Sequence, residues 1–230
     1  MINKLISKFL LLEQYCIFCG CQCDKQICKD CYISVIKPVN RIACPKCLIY
    51  LPPKEIKCQN CADNYFYFDR IITGFEYKFP LDQILHQIKY QGKLEYSTVL
   101  SQLFWNTIAI HLHKLPDVII PVPLHHSKHK LRGFNQVYEL LREFKDLYPQ
   151  VPIIKAIRNK ETLQQANLNR QQRITNLAGA FKIDFPLNNK HVTIVDDVVT
   201  TGTTVNELAK LCKDMGAHQV DVWCLMRAQH

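Results

Sequence analysis

One segment near the C-terminus constrains the fold of this chain more than any other stretch. Residues 192–204 read VTIVDDVVTTGTT. The apolar run at its start is typical of a strand that is buried on both faces of a parallel sheet. Asp196 and Asp197 follow at the carboxyl end of that strand, where open α/β sheets bind their ligands. The small residues at 200–204 predict a turn into a helix, so the segment indicates an α/β fold.

The residue types in this segment predict a site for a sugar phosphate. Backbone N–H groups and hydroxyls of the turn, together with the N-terminus of the next helix, attract a phosphate. Asp196 and Asp197 repel a phosphate, so their partners would be sugar hydroxyls or a divalent cation. A ribose 5-phosphate satisfies both parts of the segment. The residues proposed to line this site beside the two aspartates are Val198 and Val199, followed by the phosphate-binding turn Thr200, Thr201, Gly202, Thr203 and Thr204.

The N-terminal quarter of the chain is rich in cysteine. Two C-x-x-C turns complete one tetrahedral Cys₄ zinc site, and such a closed shell indicates structural rather than catalytic zinc. Consecutive pairing of the turns predicts two sites, and an interleaved pairing is equally compatible with the spacing. A disulfide knot or unbound thiols would be the alternative, which four identical spacings disfavour. The candidate ligands of one or two Zn²⁺ ions are Cys16, Cys19, Cys28, Cys31, Cys44, Cys47, Cys58 and Cys61.

Four further cysteines stand outside these pairs. We interpret Cys21 and Cys23 as spare thiols of the cysteine-rich segment. Cys212 and Cys224 lie in apolar surroundings and are predicted to be core residues.

Charge and hydropathy bear on the class of partner and on the cellular compartment of the protein. The formal net charge of +9 over 230 residues suits anionic partners such as nucleic acid or polyphosphates, although a solvated basic surface explains it too. Residues 1–14 predict a short amphipathic helix without a cleavage site for secretion. No apolar stretch reaches the roughly 20 residues of a membrane span. With clustered cysteines, these features predict a cytoplasmic protein.

The rest of the chain alternates between strand and helix patterns, which predicts a parallel sheet flanked by helices. Aromatic and β-branched residues at 65–77 predict a hairpin that turns near Asp69 or Gly74. Helices are predicted from 81 to Gly92, over 97–115 with Trp105 in the core, and over 135–147. Strands are predicted at 117–122, 151–157 and 180–183, and a last strand at 219–225 closes the sheet.

Two loops of this domain carry basic side chains. The loop after the strand at 117–122 is dense in His, Lys and Arg, which fits polyphosphate binding or an exposed basic turn. The polar stretch 158–173 is long enough to be a functional lid and contains Arg170 and Arg173.

An ordered set of motifs covers nearly the whole chain. After the cysteine pairs come K-Y-x-G at 89–92, P-V-P-L at 121–124, R-G-F-N-Q at 132–136, T-x-x-Q at 162–165 and R-x-x-N at 173–176. The acidic pair and V-W-C at 222–224 complete the set. Together they resemble the ComF family of ComFC- and GntX-like competence proteins. The resemblance implies a helix at 1–14, a double zinc ribbon at 15–63 and a type I phosphoribosyltransferase-like domain at 64–230.

The resemblance also implies residue roles. Asp196 and Asp197 would hold the ribose hydroxyls of phosphoribosyl pyrophosphate (PRPP), Thr200 to Thr204 would hold its 5′-phosphate, and Val198 and Val199 would complete the PRPP site. Mg²⁺ would bridge the substrate oxygens. The pyrophosphate would lie against Pro123, Leu124, His125 and Arg132, and the catalytic loop would supply Arg173 and Arg170. Candidate DNA contacts are Lys89, Lys128 and Lys130.

Three functions remain open at this point. The resemblance implies a competence protein that handles incoming single-stranded DNA in the cytoplasm with a ComFA-type translocase. The intact sugar-phosphate segment equally suits a Mg²⁺-dependent phosphoribosyltransferase that releases pyrophosphate onto an acceptor. A third interpretation is an adaptor whose zinc module docks the translocase.

Overall fold

The structure is a computed structural model that describes residues 14–36, 42–124, 130, 132–158 and 179–229. The predicted helix at 1–14 therefore lies outside the described residues except for its last position, which begins a strand.

Short elements frame the N-terminal cysteines. Strands β1 (Gln14–Tyr15) and β2 (Gln22–Cys23) pair antiparallel around the first C-x-x-C turn. Helix α1 (Lys29–Ile36) starts directly after Cys28. Helix α2 (Gln59–Asp63) starts directly after Cys58, which stands at its N-cap. A helix therefore begins within the second C-x-x-C turn of the chain and another within the fourth.

The remaining chain forms a sheet with helices on both faces. The central sheet has four parallel strands in the order β3-β8-β7-β4, and β5 and β6 form a separate antiparallel pair. This confirms the predicted parallel sheet flanked by helices. In chain order the elements are β3 (Arg70–Glu76), α3 (Leu81–Gln91), a 3₁₀ turn (Leu94–Tyr96), α4 (Ser97–Ile110), β4 (Val118–Pro121), α5 (Gln136–Leu140), α6 (Arg142–Leu147), β5 (Ala156–Arg158), β6 (Phe181–Ile183), β7 (His191–Val199), α7 (Thr203–Asp214) and β8 (Gln219–Arg227).

Two hydrophobic cores hold the layers together. Helix α7 covers one face of the sheet, and Cys44 and Cys47 of the third C-x-x-C turn share that core with it. Helices α3 to α6 cover the other face, where Trp223 packs on Phe144 with ring centroids 5.7 Å apart. The predicted core positions are confirmed, because the side chains of Trp105, Cys212 and Cys224 are all buried.

The predicted hairpin at 65–77 is wrong. Strand β3 is the one regular element there among the described residues, and it runs parallel to β8. Asp69 does not turn the chain but accepts a hydrogen bond from the backbone N–H of Val220 at 2.7 Å. Gly74 is a close approach, since a Cβ there would lie 3.2 Å from Oγ1 of Thr107 in α4. Alternating aromatic and β-branched residues predicted a strand correctly but could not identify its partner.

Several predicted boundaries also change. The helix begun at Leu81 ends at Gly92 as predicted, in a left-handed conformation with φ of 68°. The helix over 97–115 ends at Ile110, and the helix over 135–147 divides at Leu141. The strand at 151–157 shrinks to β5, preceded by a single bridge between Ile119 and Ile153.

Strand β8 lies inside the sheet rather than closing it. It pairs with β3 on one side and β7 on the other. Every residue of β8 after Gln219 is buried, as is typical of a strand with neighbours on both edges and helices on both faces.

Candidate functional site

The segment at 192–204 folds into a strand, a tight loop and a helix. Strand β7 ends at Val199 and α7 begins at Thr203. Gly202 stands at the N-cap of α7 with φ of 82°, a conformation that side chains with a Cβ rarely adopt. The hydroxyls of Thr201 and Thr203 lie 2.8 Å apart. We call residues 200–204 the phosphate loop from here on.

The phosphate loop is electrostatically open to an anion. The first turn of α7 contains no acidic side chain, so the partial positive charge of the helix N-terminus is unopposed there. The loop lines a small concave site together with Asp196, Val198, Val199 and Val205. Backbone N–H groups, threonine hydroxyls and a helix N-terminus therefore meet at one point.

The two carboxylates point to opposite faces of the sheet. They lie within β7 and not after it, because the strand continues to pair with β8 as far as Val199. Asp196 is partly exposed and faces the phosphate loop. Asp197 is 4% exposed and faces the other core, where its carboxylate lies 2.7 Å from Nζ of Lys89. The side-chain amide of Gln136 also donates to Asp197.

Burial gives Asp196 an unusual protonation equilibrium. Desolvation and the neighbouring carboxylate of Asp197 raise the pKa of Asp196 to about 8, against the opposing charges of Lys89 and Arg158. The raised pKa favours the protonated form of this side chain, which donates a hydrogen bond as well as accepting one.

The raised pKa of Asp196 predicts a pH-dependent stability. The folded protein keeps a proton that the unfolded chain releases near its ordinary pKa of 3.8. The free energy of unfolding from this group therefore falls as the pH rises from about 4 to about 8. Asp196→Asn has no such proton, so its stability relative to the unmodified protein should rise across that window and level off above it.

Denaturant unfolding between pH 4 and pH 9 measures this difference, and Asp184→Asn at an exposed position is the matched control. A difference between Asp196→Asn and the unmodified protein that stays constant with pH would contradict the assignment.

Two motifs of the sequence meet at Asp197. Lys89 comes from K-Y-x-G at the last turn of α3, and Gln136 comes from R-G-F-N-Q at the first turn of α5. Asn135 caps α5 by accepting a hydrogen bond from N–H of Val137 at 3.1 Å, and it donates to the carbonyl of Val122 at 3.0 Å. The second motif is thereby fastened to the end of β4.

Gln136 was missed as a site residue by the sequence analysis. The sequence signal that could have identified it is its place in the R-G-F-N-Q motif at 132–136. The sequence analysis gave Lys89 as a candidate DNA contact. The structure places its ammonium against the carboxylate of Asp197, with the side chain 18% exposed.

The other predicted residues are placed as follows. Pro123 and Leu124 are partly buried directly after β4. The guanidinium of Arg132 lies over the ring of Tyr90, 5.0 Å from its centroid. Lys130 is exposed. His125, Lys128, Arg170 and Arg173 lie outside the described residues.

The paired cysteines gather into two clusters in the consecutive arrangement. The sulfurs of Cys16, Cys19, Cys28 and Cys31 lie within 4.8 Å of one another, and so do those of Cys44, Cys47, Cys58 and Cys61. We call these the first and second clusters. All twelve cysteines are free thiols, so there is no disulfide knot. Four convergent thiols match the tetrahedral Cys₄ donor set, and each cluster could hold zinc.

Local hydrogen bonds favour the thiolate of Cys16 in the first cluster, whereas burial and the neighbouring thiols raise the pKa of Cys31 in the same cluster. Burial of Cys16 acts in the opposite direction, but backbone N–H groups of Cys28, Cys19 and Phe18 lower the pKa of its thiol to about 6. A thiol that ionises this readily is prepared to bind a metal. Cys21 and Cys23 are in neither cluster.

A larger cavity lies elsewhere. It has a volume of about 590 Å³ and runs along the free edge of β3, between that strand and residues near the second cluster. Its lining includes β3 together with polar side chains such as Lys78, His111 and His113, and the phosphate loop is not part of it. The carboxyl ends of the strands remain the better candidate site.

Comparisons with known proteins identify relatives of this chain. A family model described as a phosphoribosyl transferase domain matches residues 132–230. The DNA utilization protein YhgH of Shigella flexneri is 35% identical over 207 residues, which cover 87% of this chain and 90% of that protein. Competence protein F of Haemophilus influenzae is 33% identical over 180 residues, covering 74% and 78% of the two chains. Competence protein ComFC of Streptococcus pneumoniae is 25% identical over 210 residues and covers 89% of each.

A solved structure also matches at a distance. The purine phosphoribosyltransferase from Pyrococcus horikoshii shares 18% identity with a TM-score of 0.30, over 68% of this chain and 77% of that one. This likeness is too remote to bear on the site. Within the described ranges, no helix has both the length and the apolar character needed to span a bilayer.

Proposed function

Since this chain belongs to the ComF family, we propose that it is a competence protein that binds PRPP and handles incoming single-stranded DNA in the cytoplasm. PRPP is proposed as the ligand because the phosphate loop lies at the N-terminus of α7 with Asp196 beside it. The proposal assigns the 5′-phosphate to this loop and the ribose hydroxyls to the carboxylates of β7.

The ribose part of the proposal rests mainly on Asp196. Its side chain shares the concave site with the phosphate loop, whereas Asp197 is engaged by Lys89 and Gln136 on the opposite face. We propose that Asp197 positions the end of β7 through these contacts and turns toward the ribose only if Lys89 releases it. Mg²⁺ would then be held by pyrophosphate and ribose oxygens more than by protein, as is usual for this ion.

The DNA part rests on charge and on the relatives. The net charge of +9 favours a polyanion, and the related proteins carry the names competence protein and DNA utilization protein. Lys128 and Lys130 belong to the basic segment that follows β4 in the sequence, and Lys130 is exposed. A ComFA-type translocase would deliver the strand to this surface. The zinc clusters are proposed to be structural.

A transferase reaction is the second candidate, because the phosphoribosyl transferase family model covers the phosphate loop. In that reaction the C1–pyrophosphate bond of PRPP breaks, an acceptor bonds to C1 and pyrophosphate leaves. Arg173 and Arg170 would neutralise the departing charge.

The test is calorimetric titration of the full-length protein with Mg²⁺·PRPP, together with a pyrophosphate-release assay. We expect micromolar binding that is lost in Asp196→Asn/Asp197→Asn, while the zinc content of that variant equals that of the unmodified protein. Pyrophosphate release that requires both aspartates would make the protein a transferase, and binding without release would make the site a sensor or anchor. Absence of PRPP binding to the unmodified protein would refute the proposal.

The same preparations test the DNA part. Affinity for a single-stranded oligonucleotide should fall steeply as salt increases, because phosphate contacts release counterions. The aspartate variant is the matched control here and should retain this affinity. No salt-sensitive binding by the unmodified protein would remove the DNA part and leave the PRPP part standing.

A further inference from the structure

Arg227 is a buried cation at the end of β8. It is 1% exposed and is among the largest fully buried side chains. Among the described residues no carboxylate forms an ion pair with its guanidinium. Its hydrogen bonds go to backbone carbonyls instead, and burying a charge in this way is costly unless something else compensates it.

The guanidinium joins two parts of the molecule. Nη1 donates to the carbonyl of Val199 at 2.9 Å and also to that of Thr200, where β7 passes into the phosphate loop. Nε donates to the carbonyl of Cys47 at 2.9 Å, within the second cluster. One planar side chain thus fastens the start of the phosphate loop to a ligand residue of the second cluster.

Neighbouring contacts support the same connection. After β8, the side chain of Gln229 accepts from N–H of Tyr50 at 2.9 Å and donates to the carbonyl of Leu48 at 3.0 Å. Backbone N–H of Ala228 donates to the carbonyl of Val199 at 3.0 Å. The third C-x-x-C turn is therefore attached to β8, and β8 to the origin of the loop.

The underside of the phosphate loop belongs to the same core. Phe66 and Phe68 stack with ring centroids 4.7 Å apart and lie directly under Gly202. Asn206 of α7 binds the segment before β3 by accepting from N–H of Tyr67 at 2.7 Å. These aromatic residues share one hydrophobic core with Cys44 and Cys47.

Zinc in the second cluster would supply the missing counter-charge. Four thiolates around one Zn²⁺ carry two net negative charges, close to a guanidinium that has no carboxylate partner in the described structure. Within the described ranges, the first cluster makes no such connection to the phosphate loop. Its neighbours Ile17, Phe18 and Ile27 pack against the other core.

We infer that Arg227 is a positioning residue through which the second cluster controls the order of the phosphate loop, so that phosphate binding depends on zinc in that cluster. This deepens the proposed function and rests on it for the identity of the ligand. The contacts of Arg227 with the carbonyls of Val199 and Thr200 hold the end of β7 in place. The position of this strand end sets the orientation of the backbone N–H groups in the phosphate loop.

The experiment measures hydrogen exchange of the phosphate loop in the zinc-loaded, full-length protein, with PRPP affinity as a second readout. Arg227→Lys keeps the buried charge but replaces the two nitrogens that bond to Cys47 and Val199 separately by a single ammonium nitrogen. We expect it to retain zinc in both clusters and most of its stability. Its loop amides should exchange about tenfold faster, and its PRPP affinity should fall about tenfold.

Cys61→Ala and Cys31→Ala form the matched pair, each removing one ligand from one cluster. Cys61→Ala should accelerate loop exchange as Arg227→Lys does, and Cys31→Ala should leave the loop unchanged. Equal effects of the two cysteine variants, or an unchanged loop in Arg227→Lys, would overturn the inference. If the unmodified protein fails to bind PRPP, the proposed function fails, while the exchange data still decide the role of Arg227.

Discussion

Gly202→Val is expected to weaken PRPP binding by about 100-fold, the largest effect that we predict for a single substitution at the site. Gly202 has φ of 82°, which costs a residue with a Cβ about 1–2 kcal/mol and a β-branched residue more. A Cβ there would already be in contact with Cε1 of Phe66 at 3.5 Å, and valine adds two methyl groups to a position that is strained for any residue with a Cβ. The loop must move, and its amides lose their common direction toward the phosphate. Losing two charge-assisted hydrogen bonds is sufficient for this change in affinity.

Gly216→Val at the other end of α7 is the matched control. Gly216 has φ of 88°, so its backbone strain is comparable, and a Cβ there would lie 2.7 Å from Oδ1 of Asn188, which is closer than the nearest contact at Gly202. We expect Gly202→Val to lose about 2 kcal/mol of unfolding free energy and Gly216→Val at least as much, but only Gly202→Val to lose affinity in calorimetric titration. Equal loss of affinity in the two variants would mean that general destabilisation, and not the shape of the loop, governs binding.

Lys89→Met is expected to reduce the free energy of unfolding by about 3 kcal/mol, because it leaves the carboxylate of Asp197 buried without its cation. The side chains of Lys89 and Asp197 are 18% and 6% exposed, and the donor and acceptor lie 2.7 Å apart. The amide of Gln136 remains as a partner but carries no charge. The double variant Lys89→Met/Asp197→Asn removes both charges and should recover most of the lost stability.

An exposed ion pair provides the control for this prediction. Nζ of Lys78 lies 2.9 Å from Glu76, but the lysine side chain is 58% exposed. Lys78→Met should therefore cost less than about 1 kcal/mol in the same denaturant unfolding experiment. A double variant at 89 and 197 that is no more stable than Lys89→Met alone would show that the pair does not act as a buried charge pair.

Local patterns in the sequence were reliable wherever one segment contains the whole signal. The strand, loop and helix at 192–204 needed no distant partner, because the apolar run, the acidic pair and the glycine specify the unit together. The left-handed end of α3 at Gly92 is similar, since only glycine adopts that conformation at low cost.

Predictions failed where a distant segment decides the outcome. Residues 65–77 alternate as a hairpin would, but β3 instead pairs with β8, about 150 positions later in the chain. The interior position of β8 depends likewise on two partners. Hydrophobic periodicity records which faces of an element are buried, and it carries no information about which strand lies alongside.

The sequence by itself determined the family, the parallel α/β class, the phosphate loop and the four C-x-x-C turns, since each depends on residues at short and regular spacing. Only the tertiary structure decided that Asp196 and Asp197 serve opposite faces, that Lys89 and Gln136 converge on Asp197, and that Arg227 connects the second cluster to the phosphate loop. These contacts join residues 28 to 180 positions apart. They exist because folding buries charged and polar groups that must then find partners, wherever in the chain those partners lie.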